Sequence, residues 1–282
     1  MNLKTVRTKI DFLDAKILQL LNDRMEQSLL AKKFKSEVED TGREKELLQR
    51  VTRNSRGLIN PGFCTSLYKE ILAESKRLQE GDHPLIAFQG EHGAYGEAAA
   101  KMWDKKLVPV ACKEFIDIFN GVREGYFDFG IVPVENTLGG IVGPVNSLLI
   151  NTPLHIAGAV EARISHCLLA LPDADHREIK TVYSHPQALS QCRQFLARNK
   201  LEPVSYYDTA GAVRMVAENH LTGAAAIAGS FAAEIYNMDV LKEHIEDLPE
   251  NKTRFVILSR DKPGGLFPPR QRVPSFQLPA ST

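Results

Sequence analysis

Leu3, Val6, Ile10, Leu13, Ile17 and Leu20 recur at steps of three and four, and the next step of four lands on Arg24. Residues three and four apart share a helix face, so this spacing specifies one long helix with a coiled-coil-like apolar seam. The seam ends on a cation where an apolar residue belongs. Lys35 lies eleven residues further on, almost three turns, so an unbroken helix carries both cations on one face. Thr41-Gly42 predicts the break. A second helix then runs from about Arg43-Glu44 to about Arg53, and Asn60-Pro61-Gly62 forms a turn. Phe63, Leu67, Ile71, Leu72 and Leu78 mark a third helix, on which Ser75 and Gln79 are neighbours one turn apart.

Two readings fit this segment. In one, the charges are solvated and the helices are a dimerisation arm. In the other, Arg24 and Lys35 point into a cage within a helical dimer, with Ser75 and Gln79 as uncharged donors. Burying unpaired cations is costly, so the cage makes sense only around an anionic ligand.

Composition changes near residue 82. Residues 1–80 hold 16 Lys/Arg, 12 Asp/Glu and 3 of the 19 glycines, while all 8 histidines lie beyond residue 82. From Leu85 to Arg260 short apolar runs alternate with helical stretches. LIAFQG (85–90), LVPVA (107–111), FGIVPV (129–134), KTVYS (180–184), VSYYD (204–208), AAAIAG (224–229) and TRFVILSR (253–260) read as strands. Helices are expected over 93–103 and near 114–124, and 154–171 is strand-rich. Buried strands feeding helices mean an α/β sheet with binding loops at the strand ends. Residues 261–282 hold 5 of the 15 prolines without periodicity, which predicts an irregular or disordered tail.

Thirty-five Lys/Arg balance 35 Asp/Glu, which argues against a general nucleic-acid binder, since that needs a basic surplus. Cys64, Cys112, Cys167 and Cys192 are spaced 48, 55 and 25 apart. Those spacings fit no metal knuckle and no redox pair, so no metal site built on them is expected, and the thiols suit a reducing compartment. The charged N-terminus has no signal-peptide core, and no apolar run approaches the roughly 18 residues a membrane span needs. A soluble, cytoplasmic protein with no membrane or nucleic-acid partner is expected.

Polar residues follow several strands: Glu135-Asn136-Thr137-Leu138-Gly139-Gly140, His185-Pro186-Gln187, Asp208-Thr209-Ala210, Gly229-Ser230 and Asn251-Lys252-Thr253-Arg254-Phe255. Singly, Asp208, Thr209 and Ser230 are good helix-cap types, and the glycines are loop breakers. Together, at one sheet edge, such loops converge on a ligand, most naturally an anion met by helix N-termini. Gly90-Glu91-His92-Gly93 is too loose for a dinucleotide fingerprint, and there is neither a P-loop nor a G-x-S-x-G elbow. His166 reads as a satisfied structural residue.

Residues 3–79 resemble the all-helical chorismate mutase domain. Val6-Arg7-Thr8-Lys9-Ile10 with Leu13-Asp14 matches the start of its long helix. Arg24, Lys35, Asp40, Arg43-Glu44, Ser75 and Gln79 fall where that family keeps active-site residues. The resemblance implies a three-helix protomer interlaced as a dimer that rearranges chorismate to prephenate without a cofactor. It places Lys35 and Gln79 as donors on the breaking ether oxygen and Glu44 as acceptor from the ring hydroxyl. Arg24 binds a substrate carboxylate, Arg7 reaches into the partner's site, and Asp40, Arg43 and Ser75 make further contacts.

Residues 82–260 resemble prephenate dehydratase. The matching runs are FQGEHGAYGEAAA (88–100), GIVPVENTLGG (130–140), ISHCLLAL (164–171), VYSHPQALSQC (182–192), DTAGAV (208–213) and NKTRFVILSR (251–260). This resemblance implies two α/β lobes like a periplasmic-type binding protein, with a site in the cleft that converts prephenate to phenylpyruvate. Thr253 is then the essential hydroxyl, with Asn136 and Gln187 as uncharged positioning groups. Glu135, His185, Thr209 and Arg254 support them, Arg254 as a candidate carboxylate clamp. Gly96 stands where the family usually has Ser, and Ser147 where Asp is common.

The expected domains are residues 1–80, residues 82–260 and a tail over 261–282. Within 82–260, one lobe spans about 82–160 plus 246–260 and the other 161–245. The family usually continues into a phenylalanine-binding regulatory domain, which the 22-residue tail cannot supply, so feedback inhibition through it is expected to be absent. The expected protein is a bifunctional enzyme of phenylalanine biosynthesis acting on chorismate and prephenate as a homodimer or higher oligomer. The competing reading is a two-lobed small-anion sensor with a helical dimerisation arm and no turnover.

Overall fold

The computed structural model describes residues 2–55, 57–172 and 174–262. Apart from Asp261 and Lys262, the expected Pro-rich tail lies outside the described residues. Contacts sort the chain into two units, residues 20–83 and residues 84 onward with those up to 19.

Three helices open the chain: α1 (Leu3–Lys32), α2 (Thr41–Asn54) and α3 (Pro61–Glu80). The long seam predicted for α1 is there, but the helix stops at Lys32. Lys35 therefore sits in the connecting segment and not on Arg24's helical face. Thr41-Gly42 proves to be a start and not a break. Asp40 accepts from the Arg43 N–H at 2.9 Å and caps α2, a contribution of about 1 kcal/mol. Asn60-Pro61-Gly62 is likewise a helix start. Asn60 accepts from the Gly62 N–H at 2.7 Å, and Pro61 occupies the first turn, where a missing N–H costs nothing.

Two sheets follow. The first is built by β1 (Leu85–Gln89), α4 (Tyr95–Trp103), β2 (Val108–Cys112), α5 (Phe115–Glu124), β3 (Phe129–Asn136), β4 (Gly140–Ile141), α6 (Gly143–Ile150) and β5 (His155–Arg163). The second is built by β6 (Cys167–Ala170), β7 (Thr181–Ser184), α7 (Pro186–Gln191), α8 (Arg193–Arg198), β8 (Glu202–Ser205), α9 (Thr209–Glu218), β9 (Ala224–Ala228), α10 (Ser230–Tyr236) and β10 (Asp239–Lys242). The last strand, β11 (Lys252–Ser259), returns to the first sheet.

Strand order is β2-β1-β3-β11-β5 in the first sheet and β10-β6-β9-β7-β8 in the second. β11 lies antiparallel between β3 and β5, and β6 lies antiparallel to both β9 and β10. Each sheet thus repeats one plan: three parallel strands, then a strand delivered by a crossing segment, then an edge strand. This is the double α/β arrangement the resemblance implied. α6 and β10 were not foreseen, and β8 begins two residues before the predicted strand, leaving Tyr206–Asp208 as the loop into α9.

Burial on both sheet faces explains the unbroken apolar runs. Every residue of β9 is buried, as expected for a central parallel strand under helices. Its alanines let α9 and α10 pack close, forming a core with Leu169, Val213 and Val216. In the first sheet Ile86, Phe88, Ile131 and Ile257 form the corresponding core with α4. Close approach fixes one residue type there: a Cβ added at Gly158 would fall 1.9 Å from the Trp103 ring.

Candidate functional sites

The first site lies wholly among the helices. A cavity of about 270 Å³ is lined by Arg24, Ser28, Lys35, Asp40, Arg43, Glu44, Arg50, Lys76, Ser75 and Gln79, with Ala31, Val38, Leu47 and Leu72. Seven of the eight residues expected for the mutase are gathered here in a single chain. Arg7 is the exception; it lies exposed on the first turns of α1. Lys35 reaches the cavity from the segment after α1, so its arrival depends on where the helix ends and not on helical phase.

Five cations and two carboxylates line this cavity, so its charge favours an anion. Arg24 donates to Ser75 Oγ at 2.5 Å, and Ser75 passes its own proton to the Ile71 carbonyl at 2.9 Å. Lys76 pairs with Glu44 at 3.2 Å. Gln79 is 5% exposed. Its Nε2 lies 2.6 Å from Ser28 Oγ, while its Oε1 is buried with no partner. An unpaired buried acceptor is costly. Turning the amide over lets Ser28 donate to Oε1 and frees Nε2 to donate into the cavity.

Ser28 and Lys76 were missed by sequence reasoning. Ser28 was detectable, since Arg24, Ser28 and Ala31 step by four and three on one face. Lys76 sits one residue from Ser75 but carried no signal of its own.

The second site lies at the strand ends of the α/β unit. Cross-strand register pairs Thr253 with Asn136. Asn136 Nδ2 lies 2.9 Å from Thr253 Oγ1 and 2.8 Å from Asn251 Oδ1. Asn136 Oδ1 accepts from the N–H groups of Leu138 and Gly139 at 3.0 and 2.7 Å. These backbone donors cannot turn over, so they fix the amide: Nδ2 must donate to Thr253. The Thr253 proton is thereby left to point elsewhere.

Gln187, in the first turn of α7, comes to the same place. A Cβ added at Gly139 would meet Gln187 Nε2 at 2.5 Å and Asn136 Oδ1 at 3.3 Å. Gly139→Ala should therefore displace Gln187, raising KM several-fold for the reaction expected at this site while leaving the rate of the reaction expected of the helices unchanged; steady-state kinetics of both check this. His185 caps α7, its Nδ1 accepting from the Gln187 N–H at 3.3 Å. Thr209 opens α9 beside the cap Asp208, which accepts from the Gly211 N–H at 2.7 Å. Burial pushes the Asp208 carboxyl above the usual carboxylate range, against that N–H bond. A Cβ at Gly90 would touch Asp208 Oδ2 at 3.0 Å, so the loop after β1 and the start of α9 meet here.

Glu135 and Arg254 are placed differently. Alternate residues of a strand face opposite ways, so both lie on the sheet face away from Thr253. There Arg254 lies 3.9 Å from both Glu135 and Glu161. The structure does not bring this pair to the Thr253 hydroxyl. His166 is the satisfied buried residue expected of it, held by Tyr95 and Gln191, and burial lowers its pKa. Among the described residues no cluster of three or more His, Cys, Asp or Glu is placed to hold a metal ion. No helix among them is long and apolar enough to cross a membrane.

An anion-binding helical domain joined to a double α/β domain with a polar cluster at its strand ends defines a two-site enzyme of small anionic metabolites. Residues 6–80 match the chorismate mutase type II family, and residues 86–263 match the prephenate dehydratase family. A bifunctional chorismate mutase/prephenate dehydratase from Escherichia coli strain K12 is 33% identical over 279 residues, covering 92% of this chain and 72% of that protein. A solved prephenate dehydratase from Arthrobacter aurescens, in complex with L-Phe, superposes with a TM-score of 0.58 at 27% identity, covering 63% of this chain and 61% of that one. A second solved structure, described as a novel type of quorum quenching acylase, gives 0.59 at 34% identity, covering 63% of this chain and 64% of that one. The chain belongs to the bifunctional chorismate mutase/prephenate dehydratase family. It carries both activities, in phenylalanine biosynthesis, and its substrates are chorismate and prephenate. The sensor reading is set aside.

Proposed function

We propose that residues 1–80 perform the mutase reaction and residues 82–260 the dehydratase reaction, each through the residues gathered above. The observation that carries this reading is the hydrogen-bond polarity around Thr253. Prephenate loses its ring carboxylate as carbon dioxide, and the released electron pair moves through the ring to expel the C4 hydroxyl. The departing oxygen gains negative charge as its bond breaks, and a positioned hydrogen-bond donor eases that step. Asn136 donates to Thr253, so the Thr253 hydroxyl donates a hydrogen bond to the leaving oxygen, which departs as hydroxide and takes its proton from water. Gln187 orients the substrate, and the helix starts at His185 and Thr209 favour its negative charge. Glu135 and Arg254 act through the shape of the strand end, because Arg254 pairs with Glu135 and with Glu161.

In the mutase the C–O bond breaks as a C–C bond forms, within one bound dianion. Arg24 and Lys35 hold carboxylates in the reactive conformer, and Lys35 with a turned Gln79 amide stabilises charge growing on the ether oxygen. Glu44, held by Lys76, accepts from the ring hydroxyl. Asp40 and Arg43 shape the mouth, and Ser75 aims Arg24.

The proposal includes a homodimer in the cytoplasm. Ile10, Leu13, Ile17 and Leu20 each keep at least half their surface exposed, a stripe that monomers rarely leave open. Four free thiols, three of them buried, suit a reducing compartment. Ile10→Asp should split the dimer and remove mutase activity while dehydratase activity persists. Sedimentation velocity with both assays checks this; an unchanged dimer would overturn the seam as its interface.

A further inference from the structure

The Asn136 amide is the end of a longer chain of hydrogen bonds. Its Nδ2 donates to Asn251 Oδ1 at 2.8 Å, and Asn251 Nδ2 lies 3.0 Å from Gln191 Oε1. Gln191 Oε1 lies 2.8 Å from His166 Nε2, and His166 Nδ1 lies 2.9 Å from the Tyr95 hydroxyl. Asn251 is fully buried and His166 is 2% exposed. The five residues come from β3, the residue before β11, α7, the segment between β5 and β6, and α4. They join both sheets through the two segments that cross between them.

Those crossing segments are tied to each other. The Ile164 N–H donates to the Asn251 carbonyl at 2.8 Å, and the Ile245 N–H to the His166 carbonyl at 3.0 Å. The His166 N–H donates to Glu246 Oε2 at 2.9 Å.

Each side-chain amide has one donor end and one acceptor end, so direction passes along the chain without a choice. The N–H groups of Leu138 and Gly139 fix Asn136. Asn136 then requires an acceptor from Asn251, which must present its donor to Gln191 Oε1, which in turn requires His166 to carry its proton on Nε2. Reversing any amide would set donor against donor in a buried place, where an unmade hydrogen bond costs most.

We propose that Asn251 and Gln191 are positioning residues for the dehydratase reaction, holding Asn136 so that the Thr253 hydroxyl proton faces the substrate. This rests on the reading of Thr253 as the hydrogen-bond donor to the leaving oxygen. Neither residue touches the substrate; each acts through the amide next to it. What matters at both positions is an acceptor with the right aim. At position 251 it receives Asn136 Nδ2, and at position 191 it receives Asn251 Nδ2.

The test compares variants that keep the acceptor with variants that remove it, using kcat and KM for prephenate, the thermal midpoint of the α/β unit as the folding control, and mutase activity as a check on the amount of chain. Asn251→Leu and Gln191→Met remove it. Each should lower dehydratase kcat about tenfold or more, with KM changed less than about threefold, because the loss falls on orientation and not on binding. Asn251→Asp keeps the acceptor for Asn136 Nδ2 but loses the donor to Gln191 Oε1, and Gln191→Glu keeps the acceptor for Asn251 Nδ2. Gln191→Glu should hold kcat within about threefold of the parent and Asn251→Asp should fall between it and the apolar variants, even though a buried charge lowers both thermal midpoints below those of the apolar variants. Activity would then follow the acceptor and not the stability.

If kcat falls in step with the thermal midpoint across the four variants, the residues are structural and the proposal is overturned. Thr253→Ala is the reference that separates the two layers. If Thr253→Ala keeps full turnover, the reading of the site fails. If Thr253→Ala is inactive while Asn251→Leu and Gln191→Met keep parental kcat, the site reading stands and the positioning role fails.

Discussion

Thr253→Ala should lower dehydratase kcat by about 10²–10⁴-fold, the range removed with a positioned donor at the reacting group, and leave mutase kcat within about twofold. Three features of the site set the size of the effect. Thr253 is 7% exposed, so bulk water is a poor substitute at its position. Its hydroxyl is aimed, because Asn136 Nδ2 occupies its acceptor side at 2.9 Å. The departing oxygen gains negative charge as its bond breaks, which makes the missing hydrogen bond felt in the transition state far more than in the bound substrate. The loss should therefore fall on kcat, with KM changed little. Thr253→Ser restores the hydroxyl without the methyl group and should recover most of the rate, with some loss from freer rotation about χ1. An unchanged thermal midpoint of the α/β unit certifies that each variant is folded, since the helical unit that carries the mutase site is separate from it. Equal turnover by Thr253→Ala and the parent would move the hydrogen-bond donor for the leaving oxygen elsewhere in the cleft, with Gln187 the next group to test.

The backbone of this design was readable wherever a residue's role follows from local spacing. The seam of α1 and the apolar runs of β1, β3, β9 and β11 gave their elements directly, since burial on one face or both leaves a period in the sequence. Boundaries set by a single side chain were harder. Asp40 and Asn60 each start a helix at a place that reads as a break, because a cap and a turn draw on the same residue types. α6 and β10 lacked a pattern: α6 has just Val145 fully buried, and β10 has no buried residue.

The sites divide the same way. Helical phase marked Ser75 and Gln79 as neighbours on α3 and Arg24 as the end of the apolar seam on α1, and resemblance joined them, with Lys35, in one site. The helical phase also offered for Lys35 fails beyond the end of α1, and Lys35 reaches the cavity from the connecting segment instead. Thr253 and Asn136 came from motif resemblance, and strand register supplied what resemblance could not, namely which face each residue occupies. That same register turns Arg254 and Glu135 the other way. Asn251 and Gln191 stand in quoted motif runs, yet nothing local marks them. Their roles exist only through partners 60 and 115 positions away in the chain.

Mixing two inactive chains should restore the mutase. Arg7 and Arg24 lie on one continuous helix, 17 residues apart, and at 1.5 Å per residue that separates them by about 25 Å. No arginine side chain spans that distance, so Arg7 cannot serve the cavity Arg24 lines in the same chain. If Arg7 contributes at all, it contributes to a second chain, and the exposed seam that carries it supplies the contact. Arg7→Ala and Arg24→Ala should each lower mutase kcat/KM by about 10²–10³-fold, the loss expected when one charge-stabilising donor is removed from a preorganised site, and leave dehydratase turnover intact. In a mixed dimer one cavity takes Arg24 from the first variant and Arg7 from the second, and is complete; the other lacks both. Equal mixing, after dissociation and reassociation, makes half the dimers mixed with one good site of two, so about a quarter of parental activity should return. Recovery near that level requires sites shared between chains. No recovery from variants that demonstrably exchange subunits would confine each mutase site to its own chain. A parental mutase rate in Arg7→Ala alone would remove Arg7 from the reaction and leave the cavity complete within one protomer.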